Sequence, residues 1–121
     1  MSRDWLDYEA AHGYIRVRLD LIPTGDGGRS RPIWSDYRSS RDIGAQYEGK
    51  KTINDAPLTL EDVERLEPGQ IGFARLHPGA RQFWDHVQPG LEIYAYEGSR
   101  LVGVAEVVER RMSAPSDTSG H

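Results

Sequence analysis

From Tyr14 to Ile22 the chain reads YIRVRLDLI, and apolar and polar side chains alternate through it without a break. In an extended chain Ile15, Val17, Leu19 and Leu21 fall on one side, and Tyr14, Arg16, Arg18 and Asp20 on the other. A period of two gives a helix no apolar stripe, so this segment demands a sheet with one buried face and one wet face. Pro23 ends the pattern, and Gly25-Asp26-Gly27-Gly28 supplies residues that tolerate positive φ, so a tight turn follows. Extended structure resumes at Pro32-Ile33-Trp34, because the residue before a proline is steered away from the helical region.

The rest of the chain repeats this grammar with varying clarity. Between Asp42 and Asn54 the pattern is faint, with Ile43, Tyr47 and Ile53 as anchors. The stretch from Thr59 to Leu66 predicts a short helix: Thr59 as cap with Asp62 three residues on, Leu60, Val63 and Leu66 as an apolar stripe, and Pro68-Gly69 as the stop. Gln70 to Leu76 predicts a strand anchored by Ile71 and Phe73. Two more strands, Leu91–Tyr96 and Arg100–Val108, flank the short connection Glu97-Gly98-Ser99. Their apolar sets are Leu91, Ile93 and Ala95, then Val102, Val104 and one of Val107 and Val108. Strands at short intervals predict an all-β fold: a small closed antiparallel, Greek-key-like β-barrel of about six strands with one or two short helical turns. Residues 1–12 read as an N-terminal extension, 13–112 as the barrel, and the small polar stretch 113–121 as a disordered tail.

Composition narrows the function classes. A chain of 121 residues suits one domain, and the absence of cysteine excludes disulfides and thiolate metal sites. No apolar run approaches the roughly 20 residues that cross a bilayer. The start, MSRDWLDYEAAHG, carries acids where a secretory signal needs basic and then apolar residues, so a cytoplasmic protein without membrane association is expected. The net charge of −4 opposes sequence-blind nucleic-acid binding by the whole surface. Its distribution is uneven: Arg29, Arg31, Arg38 and Arg41 face only Asp36 and Asp42 in their stretch, whereas Glu61, Asp62, Glu64 and Glu67 surround Arg65 alone. Either one face is locally basic, or this is ordinary interspersed surface charge.

Catalytic and cofactor signals are missing from the pattern. His12, His77, His86 and His121 lack ligand spacing, so no metal is expected. Ser35-Asp36 and Ser39-Ser40 have no histidine base nearby, and the carboxylates from Glu61 to Glu67 do not converge on one helix face. No phosphate-cradling G-x-x-x-x-G-K-[ST] loop occurs, so no nucleotide cofactor and no enzyme activity are expected.

Three stretches, in order, resemble the C-terminal β-barrel domain of elongation factor Tu. The first is Gly27-Gly28-Arg29-Ser30-Arg31-Pro32-Ile33-Trp34-Ser35-Asp36-Tyr37-Arg38-Ser39-Ser40, similar to the family's G-G-R-x-x-P-F-x-x-G-Y-R-P-Q. The second is Glu67-Pro68-Gly69-Gln70, followed by His77-Pro78. The third runs from Gly90 to Gly103 and is similar to G-L-R-F-A-I-R-E-G-G-R-T-V-G. The resemblance spans roughly Ile15 to Val108, with a poor match from Asp42 to Leu66.

What the resemblance implies is a non-catalytic, translation-related module that meets a protein or a tRNA-like RNA with its rim. It carries contact roles to Arg29, Ser30 and Ser40 in the first stretch and to Ser99 in the glycine hairpin. The residue chemistry adds Arg31 and Arg38 for phosphate, Trp34 and Tyr37 for stacking, and the neighbouring Gly98 and Arg100. The chain departs from the family at Asp36, which replaces glycine, at Ser39, which replaces proline, and at Glu92, which stands where arginine is usual. Both acids oppose counterion release at a phosphate-facing surface. A second reading is a small immunity or decoy protein that mimics the elongation-factor surface without RNA. The segment from Ala80 to Val87 is longer than in the family, and its Phe83-Trp84 pair either plugs the barrel end or forms a partner hot spot.

Overall fold

The computed structural model describes the backbone of residues 3–35, 37, 40–47, 50–78 and 84–111, and the side chains of 7–35, 37, 56–78 and 84–111. Among these residues a helix, α1 (Arg3–His12), precedes nine strands: β1 (Ile15–Leu21), β2 (Ile33–Trp34), β3 (Ser40–Tyr47), β4 (Lys50–Asp55), β5 (Leu58–Leu60), β6 (Arg65–Leu66), β7 (Ile71–Leu76), β8 (Glu92–Glu97) and β9 (Arg100–Arg110). A 3-10 turn, Thr24–Asp26, follows β1. Seven strands form one antiparallel sheet in the order β4-β3-β8-β9-β1-β7-β5, and β2 pairs with β6 in a separate ribbon. No helix among the described residues is long and apolar enough to cross a membrane.

The two end strands of the sheet are consecutive in the chain, which constrains its shape. Asp55 closes β4 and Leu58 opens β5. Three peptide steps hold their Cα atoms within about 11 Å, whereas the ends of a flat seven-stranded sheet lie about 29 Å apart. The sheet is therefore curled until its ends approach. Among the described residues no ladder joins β4 to β5. Instead the segment leading into β3 lies against β5: Leu58 N–H donates to the Tyr37 carbonyl (3.2 Å) and Leu60 N–H to Ser35 Oγ (3.0 Å).

Alternation on β1 sets the interior as expected, with Ile15, Val17, Leu19 and Leu21 all buried. They pack with Ile33, Leu58, Leu76, Ile93 and Val107 in one core. Gly103 lies across from Leu21 and Ala95, and a Cβ there would come within 3.3 Å of Leu19 and Leu21 side-chain carbons.

Several local expectations fail. The predicted helix from Thr59 to Leu66 is absent: Thr59 is buried within β5, Asp62 turns the chain at φ 62°, and Arg65–Leu66 form β6. Val63, expected on an apolar stripe, is exposed. On β7 the anchors are inverted, because Ala74 and Leu76 face the core while Ile71 and Phe73 face outward. Val104 is half-buried beside buried Val102, since a register shift after Ala95 moves the alternation on β9. Helicity is also greater at the N-terminus, where residues 3–12 form a ten-residue helix. The expected tail 113–121 lies outside the described residues.

Trp84 is fully buried in the core, so it is not the surface hot spot that was one of the two expectations; Phe83 lies outside the described residues. The Arg110 guanidinium fixes this turn by donating to the carbonyls of Trp84 (2.8 Å) and Val87 (2.6 Å).

Candidate functional site

The glycine-rich turn after β1 leads into Arg29. Gly27 takes φ 92°, and Gly28 approaches so closely that a Cβ would lie 2.0 Å from the Ile22 carbonyl oxygen. No side chain fits there without moving the backbone. The Pro23 carbonyl accepts from both Asp26 and Gly28 N–H, and Thr24 Oγ1 donates to the Arg29 carbonyl. The turn thus returns the chain towards the hairpin between β8 and β9, where Glu97 and Arg100 are cross-strand partners and Gly98 adopts φ 61°.

Arg29 and Glu97 meet at this junction. Arg29 Nη1 donates to Glu97 Oε2, Nε to the Arg31 carbonyl (3.1 Å) and Nη2 to the Pro32 carbonyl (3.3 Å). Tyr37 lies beneath: its ring sits 4.9 Å from the Arg29 guanidinium, and its hydroxyl donates to the same Glu97 oxygen (2.5 Å). Burial, and then the Glu97 carboxylate, push the Tyr37 hydroxyl up to about 12, so it stays a neutral donor.

Arg29, Ser30, Arg31, Glu97 and Arg100 line an open cavity of about 180 Å³. Three arginines and one glutamate line it, a formal surplus of two positive charges among the described residues. Arg29 is committed to Glu97 and two carbonyls, whereas Arg31 and Arg100 take part in none of the ion pairs among the described residues. A planar fork with five N–H donors is suited to carboxylate or phosphate oxygens.

Of the ten expected contact residues, Arg29, Ser30, Arg31 and Arg100 are brought together at this cavity. Gly98 and Ser99 form the exposed hairpin turn beside it, and Tyr37 supports it from below. Trp34 does not line it: on β2, paired with Arg65, its side chain is 48% exposed. Ser40 enters through its backbone pairing with Tyr96 on β8, and Arg38 lies outside the described residues, as does Asp36. The acid at Glu92 stands five residues before Glu97, about 16 Å along the strand and beyond the reach of unscreened surface charge. Its carboxylate accepts from the Tyr94 hydroxyl at 3.1 Å.

Glu97 is the cavity residue that pattern reading passes over. Its signal was the placement of Glu97 and Arg100 at the two ends of a two-residue turn, which makes them cross-strand neighbours.

A second polar cluster sits at the opposite end of β1. Glu61 accepts from Arg16 Nε (3.0 Å) and Arg75 Nε (2.9 Å), and Glu9 accepts from Arg75 Nη1 (2.9 Å). The other Glu9 oxygen lies 2.7 Å from His77 Nε2, and the Tyr8 hydroxyl donates to the Pro78 carbonyl (2.7 Å). These bonds fasten α1 to β7. No group of three or more acidic or histidine side chains among the described residues is arranged to hold a metal ion. No known protein-family model matches this chain, and no curated protein matches it.

Proposed function

We propose that the chain is a non-catalytic binding module that takes the phosphate backbone of a tRNA-like RNA on the rim formed by the β1–β2 turn and the β8–β9 hairpin. The carrying observation is the grouping of Arg29, Arg31 and Arg100 with Glu97 around one cavity, where among the described residues only Arg29 takes part in an ion pair. In this reading Arg31 and Arg100 bind, Arg29 is held in place by Glu97 and Tyr37, and the exposed Trp34 offers a stacking face further along the same segment. The scaffold in this reading is a closed antiparallel barrel similar to the C-terminal domain of elongation factor Tu, acting in the cytoplasm. The curl that brings β4 and β5 together, and the hydrogen bonds of β5 to residues 35 and 37, support that closure.

The test is salt-dependent binding of a tRNA-like RNA. Affinity is expected to fall linearly with salt on a double-logarithmic plot, and the slope to drop by roughly one for each of Arg31→Ala and Arg100→Ala. No binding at low salt would overturn the reading. Retention of a protein partner after nuclease treatment, dependent on Trp34, would instead support the decoy alternative, which the half-exposed Trp34 beside Arg65 favours.

A further inference from the structure

At the start of β1, away from the rim, α1 is fastened to the sheet by polar contacts. Its described side chains run from Asp7 to His12, and none of them belongs to the hydrophobic core. Asp7, Ala10, Ala11 and His12 are exposed, whereas Tyr8 and Glu9 are half-buried. One Glu9 carboxylate oxygen accepts from Arg75 Nη1 (2.9 Å), and the other lies 2.7 Å from His77 Nε2. Tyr8 adds its hydroxyl bond to the Pro78 carbonyl. Glu9 and His77 are both withdrawn from water, so the loss of either leaves the other poorly matched to its surroundings.

Two features make the folding of α1 depend on that contact. A helix of ten residues is shorter than the roughly 12–15 that hold helical order on their own in water. Glu9 also stands in the last turn, where the carbonyl end of the helix dipole disfavours a carboxylate. Its charge weakens the helix locally, and Arg75 and His77 offset this only across space. Gly13, at φ 80°, ends α1 with its N–H on the Glu9 carbonyl (2.8 Å) and forms with Tyr14 the short hinge to β1.

We propose that α1 is a releasable strap: it is helical while Glu9 is seated between Arg75 and His77, and it lifts and melts as one unit when that contact is lost. The sheet beneath stays folded, because Ile15, Val17, Leu76 and their neighbours form the core without the described part of α1. Closed, the strap keeps the buried His77 from water. Open, it presents the His77 imidazole and the Glu9 side of the Arg75 guanidinium, while Arg75 keeps its bond to Glu61 (2.9 Å). The strap lies at the opposite end of β1 from the Arg29–Glu97 junction and does not depend on the RNA reading.

Amide hydrogen exchange of the full chain tests this. In the wild type, α1 amides are expected to exchange at least about tenfold faster than those of β1 and β9, the mark of a separate opening. Glu9→Gln keeps the size and helix propensity of the side chain and removes its conflict with the dipole, so it would firm an autonomous helix. For a strap the sign reverses: α1 exchange rises at least about tenfold further, with β1 and β9 unchanged. Asp7→Asn, on the exposed side of the same helix, is expected to leave α1 exchange within about twofold. Diethyl pyrocarbonate gives a second readout, in which modification of His77 rises with Glu9→Gln while that of the exposed His86 stays constant. Protection of α1 in Glu9→Gln at or above the wild-type level would overturn the proposal. So would α1 exchanging in step with β1 and β9, an equal effect of Asp7→Asn, or an unchanged His77.

Discussion

Arginines cluster at both ends of β1, yet the two clusters are built for different ends. At its start, Arg16 and Arg75 are shared between Glu61 and Glu9, and Glu9 keeps only 7% of its side-chain surface exposed. Aromatic rings cover the guanidinium groups, Phe73 at 4.4 Å from Arg16 and Tyr14 at 4.4 Å from Arg75. Past its finish, Arg29 pairs with Glu97, and Arg31 and Arg100 line the same open space outside the ion pairs of the described residues. The count of acids within reach makes the difference: enough of them convert arginine into a structural cross-link, and a deficit leaves its donors for a ligand. Sequence proximity does not reveal this count, because Arg29 and Glu97 are 68 positions apart and Arg75 and Glu9 are 66 apart.

The sharpest way to break this contrast is Arg75→Ala. It strips two largely buried carboxylates of their shared cation and is expected to cost about 2–4 kcal/mol in urea unfolding. A cost below about 0.5 kcal/mol would place the cluster with ordinary surface pairs. The converse variant, Arg31→Ala/Arg100→Ala, should leave stability within about 0.5 kcal/mol of the wild type while RNA affinity at low salt falls at least about tenfold. An unfolding midpoint lowered as far as in Arg75→Ala would show that the rim arginines are structural after all.

Glu97→Gln tests the one acid of the rim. Removing its charge should raise RNA affinity a few-fold at low salt and steepen the salt slope, at a stability cost of roughly 0.5–1.5 kcal/mol from the weakened bonds to Arg29 and Tyr37. Unchanged or reduced affinity would mean that Glu97 itself touches the ligand. The smallest effect concerns Tyr37. Its hydroxyl is raised from 10.0 to about 12, so the folded chain holds this proton more tightly than the unfolded one. The resulting stability is fully present below pH 10 and is lost as pH rises towards 12. Tyr37→Phe should lack that alkaline decline, as seen in denaturation midpoints compared at pH 9 and pH 11 with the wild type; parallel declines would remove the Glu97 bond from the account.

The strands that were legible are those with alternation long enough to register, β1 above all, and the β8–β9 hairpin with its glycine turn. The misread helix at Thr59–Leu66 has a physical origin. Leu60, Val63 and Leu66 match helical spacing by accident, because two very short strands and the turn at Asp62 separate them. Three residues of β5 are too few to display a period, and their pairing with β7, Leu58 with Leu76 and Leu60 with Ala74, decides their conformation. Likewise α1 carries no strong apolar stripe, and its described anchors are Tyr8 on the Pro78 carbonyl and Glu9 on Arg75 and His77. The candidate site was half visible: its arginines stood out by charge, while Glu97 looked like part of a turn.

Sequence alone determined what depends on neighbours along the chain: the period-two faces, the left-handed turns that favour glycine at Gly27 and Gly98, and the local excess of arginine after β1. The tertiary structure alone decided which arginines are neutralised and which remain open. Charge compensation acts through space over a few ångströms, and the partners of Arg29 and Arg75 arrive there only when distant strands are laid side by side.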